Sequence, residues 1–300
     1  MSVRTPVGAG PGPAQAVVAD RRFQHYQGRR LGVAYSFLSL YLHSIGWVLG
    51  LKRSARYKIV PALFLLAAFA PAAVIIVVAT VAPPDTQLPT YSDYYAFVLP
   101  PIYLFMAITM PELICPDRRH GTLRMYMTSN LNPVSYLAAK VLAGWTVLAI
   151  VTVLPVLLLL GGYSLFGHGP GALSDAFKTI GQILAAGFEL AIFYGTVAMA
   201  ISSLTDRNSF ASAGIILTFV LAGAALGILQ GPLKAPDWVR LVNIPQLPTD
   251  FMFRIYGVPL PAADAAPSNI PMWQIASAFA GWVLGGLAVL AYRYRGEARK

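Results

Sequence analysis

The sequence is poor in charged residues and contains a single cysteine. Aspartate, glutamate, lysine and arginine together make up 11% of the 300 residues, whereas they make up about a quarter of a soluble domain. Hydrophobic residues make up 57%, so the chain is too apolar for a soluble globular protein. The single cysteine, Cys115, excludes an internal disulfide, and we expect it to be a small buried or interfacial thiol.

Motifs for nucleotide binding, hydrolysis and metal binding are also missing. No GxxxxGK[ST] segment is present, so the chain lacks a phosphate-binding loop of its own. HExxH and CxxC are absent, and the four histidines are not at ligand spacing. We therefore expect no catalytic, cofactor-binding or metal-binding residues, and a chain that is not itself an enzyme.

Long apolar runs dominate what is there. A helix needs about 20 apolar residues to cross the hydrocarbon core of a membrane. The runs are continuous and do not alternate with a period of two, which favours helices over a barrel. The predicted fold class is an all-α integral membrane protein with six transmembrane helices. The predicted spans are 59–82, 94–115, 136–166, 180–204, 210–229 and 271–292.

The distribution of positive charge predicts the topology. With a cytoplasmic N-terminus, all but four of the 22 lysines and arginines fall on the cytoplasmic side. This positive-inside bias places both chain ends in the cytoplasm, and it assigns the net charge of +10 to topology and anionic lipid rather than to nucleic acid. We predict a membrane domain over 59–292, flanked by basic cytoplasmic tails over 1–34, which we expect to be flexible, and 293–300.

Two segments outside the spans have patterns of their own. In the segment 35–58, polar or small residues recur at every third or fourth position over 35–51, between basic clusters. That pattern predicts an amphipathic interfacial helix with a basic linker. The large outer loop, 230–270, contains an apolar piece at 249–260 that is either a short amphipathic or re-entrant helix or a plain proline-rich loop.

Glu189 is the one carboxylate deep inside a predicted span. An ionised carboxylate is costly in a bilayer, so we expect it to face the bundle interior or a wet cavity, or to be protonated. It either contacts a substrate or relays protons, or it hydrogen-bonds a neighbouring helix. Small residues around it would let a second helix approach closely: Gly181, Ala185, Gly187, Ala191 and Gly195.

The connection between the second and third predicted spans, 112–135, concentrates charge. Pro116 can begin a helix because it needs no N–H there, and Asp117 in that first turn would complement the helix dipole. The pattern predicts a short amphipathic helix suited to docking in a groove of a soluble partner. A solvated charge cluster is the alternative. We also expect Glu112 to pair with one of the arginines of this segment.

Residues 111–144, PELICPDRRHGTLRMYMTSNLNPVSYLAAKVLAG, resemble the loop between spans two and three of ABC-type transport permeases. The resemblance is to the six-span export family, the type V exporter fold. Members show an acidic residue, arginines, Gly-Thr-Leu, and a Gly-Lys pair before the third span. Asn130 stands where a proline is usual, and Ala139 where a glycine is common. The matching positions are Asp117, Arg118, Arg119, Gly121, Thr122, Leu123 and Lys140.

The resemblance implies a permease subunit of an ATP-driven exporter, and the apolar, aromatic lining expected from the spans favours an amphipathic or lipid-like substrate. The resemblance also implies a second permease subunit, in a homo- or heterodimer. The richness in alanine, glycine and proline favours a bacterial source, so we expect the plasma (inner) membrane of a bacterium. ATP and Mg²⁺ would be bound by a separate cytoplasmic ATPase subunit, which receives the loop as a coupling helix. The residues implied in that contact are Asp117, Arg118, Arg119, Gly121, Thr122 and Leu123. From the residues alone, a proton-coupled secondary transporter using Glu189 is the alternative.

Overall fold

The computed structural model describes residues 32–51, 55–83, 86–119, 121, 131–258 and 270–298. These residues form α-helices joined by loops, with no β-strand among them. The predicted N-terminal tail up to residue 31 lies outside them. The helices are α1 (Val33–Val48), α2 (Ala55–Val81), α3 (Tyr91–Arg119), α4 (Pro133–Leu165), α5 (Leu173–Ser202), α6 (Asn208–Gln230), α7 (Val239–Val242), α8 (Gln246–Tyr256) and α9 (Met272–Ala298).

In the described part of the chain, six helices are long and apolar enough to cross a membrane. They are α2 to α6 and α9, and each overlaps one of the six predicted runs. The predicted all-α fold with six spans is therefore confirmed. The cytoplasmic placement of both chain ends stays a prediction.

Helix α5 is the centre of the bundle. It packs against α3, α4, α6, α8 and α9. In its most apolar stretch 72% of the residues are buried, whereas the share is 17% in each of α2, α6 and α9. The latter three helices therefore turn most of their apolar side chains outward, where lipid would cover them.

Glycines of α5 allow α4 to come close. A Cβ atom added to Gly187 would overlap the side chain of Val153, and one added to Gly195 would lie 3.0 Å from Cδ1 of Trp145. At the first of these positions Thr152 donates a 2.8 Å hydrogen bond to the Gly187 carbonyl. The predicted close approach of a second helix is confirmed at these two glycines, whereas Gly181 faces open space.

Helix α1 occupies the segment predicted to be an interfacial helix. It packs against α3 and α4, and the hydroxyls of Tyr41 and Thr146 share a 2.8 Å hydrogen bond. Its buried face includes Leu40, Ser44 and Val48, four residues apart. The helix itself is confirmed, and its position in the membrane plane stays a prediction.

The large loop between α6 and α9 contains α7 and α8. Helix α8 buries Leu247, Met252 and Phe253 against the bundle. It is followed by Gly257, whose φ of +69° is the left-handed conformation common after helices. Of the two expectations for this apolar piece, the helix is correct. Residues 259–269 of the predicted outer loop lie outside the described residues.

Candidate functional site

Helix α3 continues without interruption to Arg119, and Pro116 lies inside it. The prediction that a separate helix begins at Pro116 is therefore wrong. Asp117 and its neighbours occupy the last turn of a spanning helix, where basic side chains rather than acidic ones complement the dipole. A proline inside such a helix is tolerated because neighbouring groups satisfy the freed carbonyl. The chain turns at Gly121, which has a φ of +64° and donates its N–H to the Arg118 carbonyl.

Arg118 ties the end of α3 to the end of α5. Its Nη1 donates to the carbonyl oxygen of Ser203, the residue after α5, and its Nη2 lies 3.0 Å from Oδ1 of Asp206. The Arg118 side chain is only 6% exposed. The last carbonyls of a helix lack intrahelical partners and form the negative end of its dipole. A buried guanidinium satisfies both demands.

Arg293 of α9 reaches the same place from another helix. Its Nε donates to the Ser203 carbonyl at 3.3 Å, and its Nη2 donates to the Leu204 carbonyl at 3.4 Å. Two arginines from α3 and α9 therefore cap the central helix together.

Cys115 lies beside this cap. Its thiol is fully buried and donates to the carbonyls of Ser202 and Thr205, each at 3.5 Å. The expectation of a buried thiol is confirmed, and the thiol sits where α3 contacts the end of α5.

Asp117 ties the end of α3 to the start of α4. Its Oδ2 lies 2.7 Å from Nζ of Lys140 and accepts a hydrogen bond from the Tyr136 hydroxyl. The Asp117 and Lys140 side chains are 18% and 9% exposed, so the pair is largely removed from water. The Tyr136 ring packs on Tyr294 of α9, with centroids 5.9 Å apart. The helices on either side of the connecting segment are thus held together at its base.

The predicted partner-binding residues divide into two groups. Asp117 and Arg118 are engaged within the bundle, whereas Arg119 is exposed at the end of α3. We name the buried group, with its partners Lys140 and Ser203, the loop anchor. The loop anchor holds together the described ends of α3, α4 and α5, and contact of Arg119 with another molecule stays a prediction.

The remaining predicted residues are less informative. Gly121 forms the turn that ends α3, and Thr122 and Leu123 lie outside the described residues. Glu112 is half-buried in α3, and its pairing with an arginine of the segment stays a prediction.

Sequence reasoning missed most of the partners of these residues. Ser203, Asp206 and Arg293 lie far along the chain from Arg118, and no local pattern links them. Tyr136 carried no signal either, because an aromatic residue near a membrane boundary is ordinary. Lys140 is the exception, since it is one of the positions that match the permease loop.

Glu189 lies inside the bundle as predicted, with 7% of its surface exposed. Neither of its carboxylate oxygens has a hydrogen-bond partner among the described residues. The expectation that it hydrogen-bonds a neighbouring helix is therefore wrong for the described helices. Gln182, two turns earlier on α5, donates to the Ile255 carbonyl of α8 at 3.0 Å, so this face of α5 points to α8. Glu189 is about 21 Å along the helix from Ser203, which separates it from the loop anchor.

The outer loop contains a buried ion pair. Nη1 of Arg240 lies 3.9 Å from Oδ2 of Asp250, and both side chains are buried. Gln246 donates a 2.7 Å hydrogen bond to the other carboxylate oxygen. Burial raises the pKa of the Asp250 carboxyl above its ordinary value, and the bond from Gln246 and the charge of Arg240 oppose that rise. Arg240 is one of the four basic residues predicted to lie on the outer side, and its charge is paired with Asp250 within the protein.

Six apolar spans within the described residues, of which α5 is the central one, define a multi-pass membrane protein. Those residues hold no group of three or more His, Cys, Asp and Glu side chains that could bind a metal ion. The model of the ABC-2 family transporter proteins matches residues 70–292. The chain therefore belongs to the ABC-2 family and is an ABC transporter permease, the membrane component of such a transporter. A comparison with curated proteins finds no match.

Proposed function

We propose that this permease is a subunit of an ATP-driven exporter and works with a separate cytoplasmic ATPase subunit. Membership of the ABC-2 family supports the transport class. The observation that carries the proposal is the loop anchor, in which Asp117 and Arg118 hold the base of the α3–α4 connection. ATP and Mg²⁺ would be bound by the partner, and this chain would receive the resulting motion.

The loop anchor gives a physical route for that motion. Force applied to the connection between α3 and α4 reaches α4 through Lys140 and α5 through Ser203. It reaches α9 through the contact between the rings of Tyr136 and Tyr294. Largely buried ion pairs resist separation because each partner would be left uncompensated. The helix ends would therefore move together rather than one at a time.

Arg119 is the residue that we assign to direct contact with the ATPase. It is exposed at the end of α3, next to the anchored Arg118. An exposed cation at the anchored end of a helix is suited to bind an acidic patch on a partner. Charge complementarity of this kind fixes how the two proteins align and how fast they associate. Gly121, Thr122 and Leu123 follow it in the proposed contact.

We further propose that two permease subunits, identical or different, form the pathway in the plasma (inner) membrane of a bacterium. We also propose an amphipathic or lipid-like cargo, because the spans that would line the pathway are apolar and contain aromatic residues.

Copurification tests the partnership. Tagged protein is extracted from its own membranes in several mild detergents, and the proteins that accompany it are identified by mass spectrometry. We expect a near-stoichiometric ATPase with wild type, and its loss with Arg119→Glu. The matched control is Arg295→Glu, the same charge change at an exposed position near the end of α9. Absence of an ATPase from wild type in all detergents would refute the proposal.

Glu189→Gln separates this proposal from proton-coupled transport, which the family membership does not favour. Purified protein is reconstituted into vesicles that contain a pH-sensitive dye, and a pH gradient is imposed. We expect equal proton flux for wild type and Glu189→Gln, because proton movement is not the driving force. A flux present in wild type and abolished by the substitution would support the alternative.

A further inference from the structure

An apolar groove of about 550 Å³ runs along α9 between α5 and α6. Gly281 and Gly285 of α9 line it, and a Cβ atom added to either would meet nothing within 4 Å. Gly286 differs, because a Cβ there would lie 2.7 Å from Cγ2 of Thr196 on α5. The helices are therefore in contact beside the groove, while the groove itself is left open.

The length and position of the groove suit the hydrocarbon region of a membrane. Its lining extends along α9 from Ala278 to Val289, which is about 16 Å of helix. That is close to half of the roughly 30 Å hydrocarbon thickness, so the groove covers about one leaflet. Both α6 and α9 bury little of their surface within the described bundle, so the groove lies at the lipid-facing side.

Positive charge gathers at one end of the groove. Val289 and Arg293 are four residues apart and so lie on the same face of α9. On α5, the lining residues Ala200 and Ile201 lie within four residues of Ser203 and Leu204, whose carbonyls bind Arg293. The guanidinium of Arg293 therefore marks the end of the groove.

The charge at this end is not neutralised by the described protein. Nη1 of Arg293 has no hydrogen-bond or ion-pair partner among the described residues. Arg207 adds a second, exposed cation, with its guanidinium 5.7 Å from the ring centroid of Phe210. The carboxylate of Asp206, in the same connection, is already paired with Arg118.

We propose that this groove is a binding site for an anionic phospholipid. One acyl chain lies along Gly281 and Gly285, and the headgroup phosphate contacts Arg293 and Arg207. The positive-inside pattern predicts this end to be cytoplasmic, where anionic headgroups attract basic residues. A second copy of the chain fits less well, because a two-fold interface with parallel spans would bring the same cations together. The proposal depends on the membrane location and not on the ATPase partner.

Photo-crosslinking of lipid tests the apolar part of the site. Protein is reconstituted in vesicles that contain phosphatidylglycerol with a diazirine in one acyl chain, and labelled peptides are mapped by mass spectrometry. We expect labels on the groove segments of α5 and α9, reduced several-fold by Gly285→Leu, which fills the groove. Gly161→Leu is the matched control, since Gly161 is exposed on α4 and a Cβ there also meets open space. Equal labelling of both variants at the groove would overturn the proposal.

The charge requirement is tested by the headgroup. We expect several-fold weaker groove labelling from the matching phosphatidylcholine probe, and Arg293→Gln should reduce phosphatidylglycerol labelling to that level. Glutamine keeps a donor for the Ser203 carbonyl but removes the charge, and unchanged protection of Cys115 from a thiol reagent would show that the fold is intact. Equal labelling of wild type by the two lipids would overturn the proposal. Absence of lipid labels from the groove segments of wild type would also overturn it.

Discussion

Arg118 of α3 and Arg293 of α9 donate hydrogen bonds to the same backbone oxygen, that of Ser203. A carbonyl oxygen has two lone pairs, so both bonds can be made at once. Because Ser203 follows the last residue of α5, the end of the central helix is held from two sides. Loss of either donor to the Ser203 carbonyl should loosen this end of the bundle.

Replacing Arg118 with alanine should expose the thiol of Cys115. The substitution removes a charge-assisted hydrogen bond worth about 1.5–3 kcal/mol from the turn that also buries this thiol. If labelling requires local opening, a membrane-permeant maleimide should react with Arg118→Ala at least about tenfold faster than with wild type. Cys115 is the single cysteine, so the label reports on one site. Arg119→Ala, at the exposed neighbour, should label at the wild-type rate, and equal rates for the two variants would contradict the finding.

The pair between Asp117 and Lys140 should show strong coupling in a double-mutant cycle. Asp117→Ala leaves the 9% exposed Lys140 side chain without this partner, and breaking a buried pair costs about 3–5 kcal/mol. We expect the lower end of that range, because Asp117 is still 18% exposed. The double variant Asp117→Ala/Lys140→Met should lose less stability than Asp117→Ala alone, as measured by thermal unfolding in detergent. Simple addition of the two single effects would argue against a direct pair.

Alanine at Gly187 should destabilise the protein, whereas alanine at Gly181 should not. The new methyl group at Gly187 overlaps Val153, and overpacking of this kind costs about 1–3 kcal/mol. At Gly181 the methyl group meets open space, and alanine is favoured over glycine in a helix by roughly 1 kcal/mol. Melting temperatures of the two variants check the difference, and Val153→Ala should partly restore Gly187→Ala. A destabilised Gly181→Ala would show that the two sites differ for another reason.

The stability of the outer loop should depend on pH through Asp250. Burial raises the pKa of this carboxyl in the folded protein above its ordinary value of 3.8, so the folded state binds its proton more tightly than the unfolded state. The stabilisation of the folded state by the protonated carboxyl is fully present below the ordinary pKa and is lost as the pH rises through the raised pKa. The protection of the α8 amides from hydrogen exchange, measured relative to an unfolded chain at the same pH, should therefore fall over that window in wild type. Asp250→Asn should remove this part of the pH dependence, and an identical profile in both proteins would contradict it.

The spans could be predicted from the sequence, but the end of α3 could not. Hydropathy is a local property, so each of the six runs can be recognised from its own residues alone. The position of Pro116 within α3 depends on what surrounds it, because a proline is compatible both with a helix start and with the interior of a packed membrane helix. The partner of Arg118 is Ser203, at the far end of another helix. No spacing pattern in the sequence predicts that contact.

The sequence also hides which span is central. Residues that face lipid and residues that face protein are equally apolar, so hydropathy does not separate them. Helix α2 is more apolar than α5, yet α5 is the more buried. The useful signal was polarity, since Glu189 within a span marks a helix that must face the interior. The sequence predicts an interior position for Glu189, and the same carboxylate identifies α5 as the central helix.

The central position of α5 has a consequence for biogenesis. A helix carrying Glu189 leaves the translocon for lipid less readily than its apolar neighbours, because a carboxylate at the middle of a span opposes insertion by a few kcal/mol. Helices α3 and α4, which pack against α5, precede it in the chain and have entered the membrane before α5 is synthesised. They can shelter α5 as it emerges, so the order of the helices along the chain matches the order in which the bundle can be assembled.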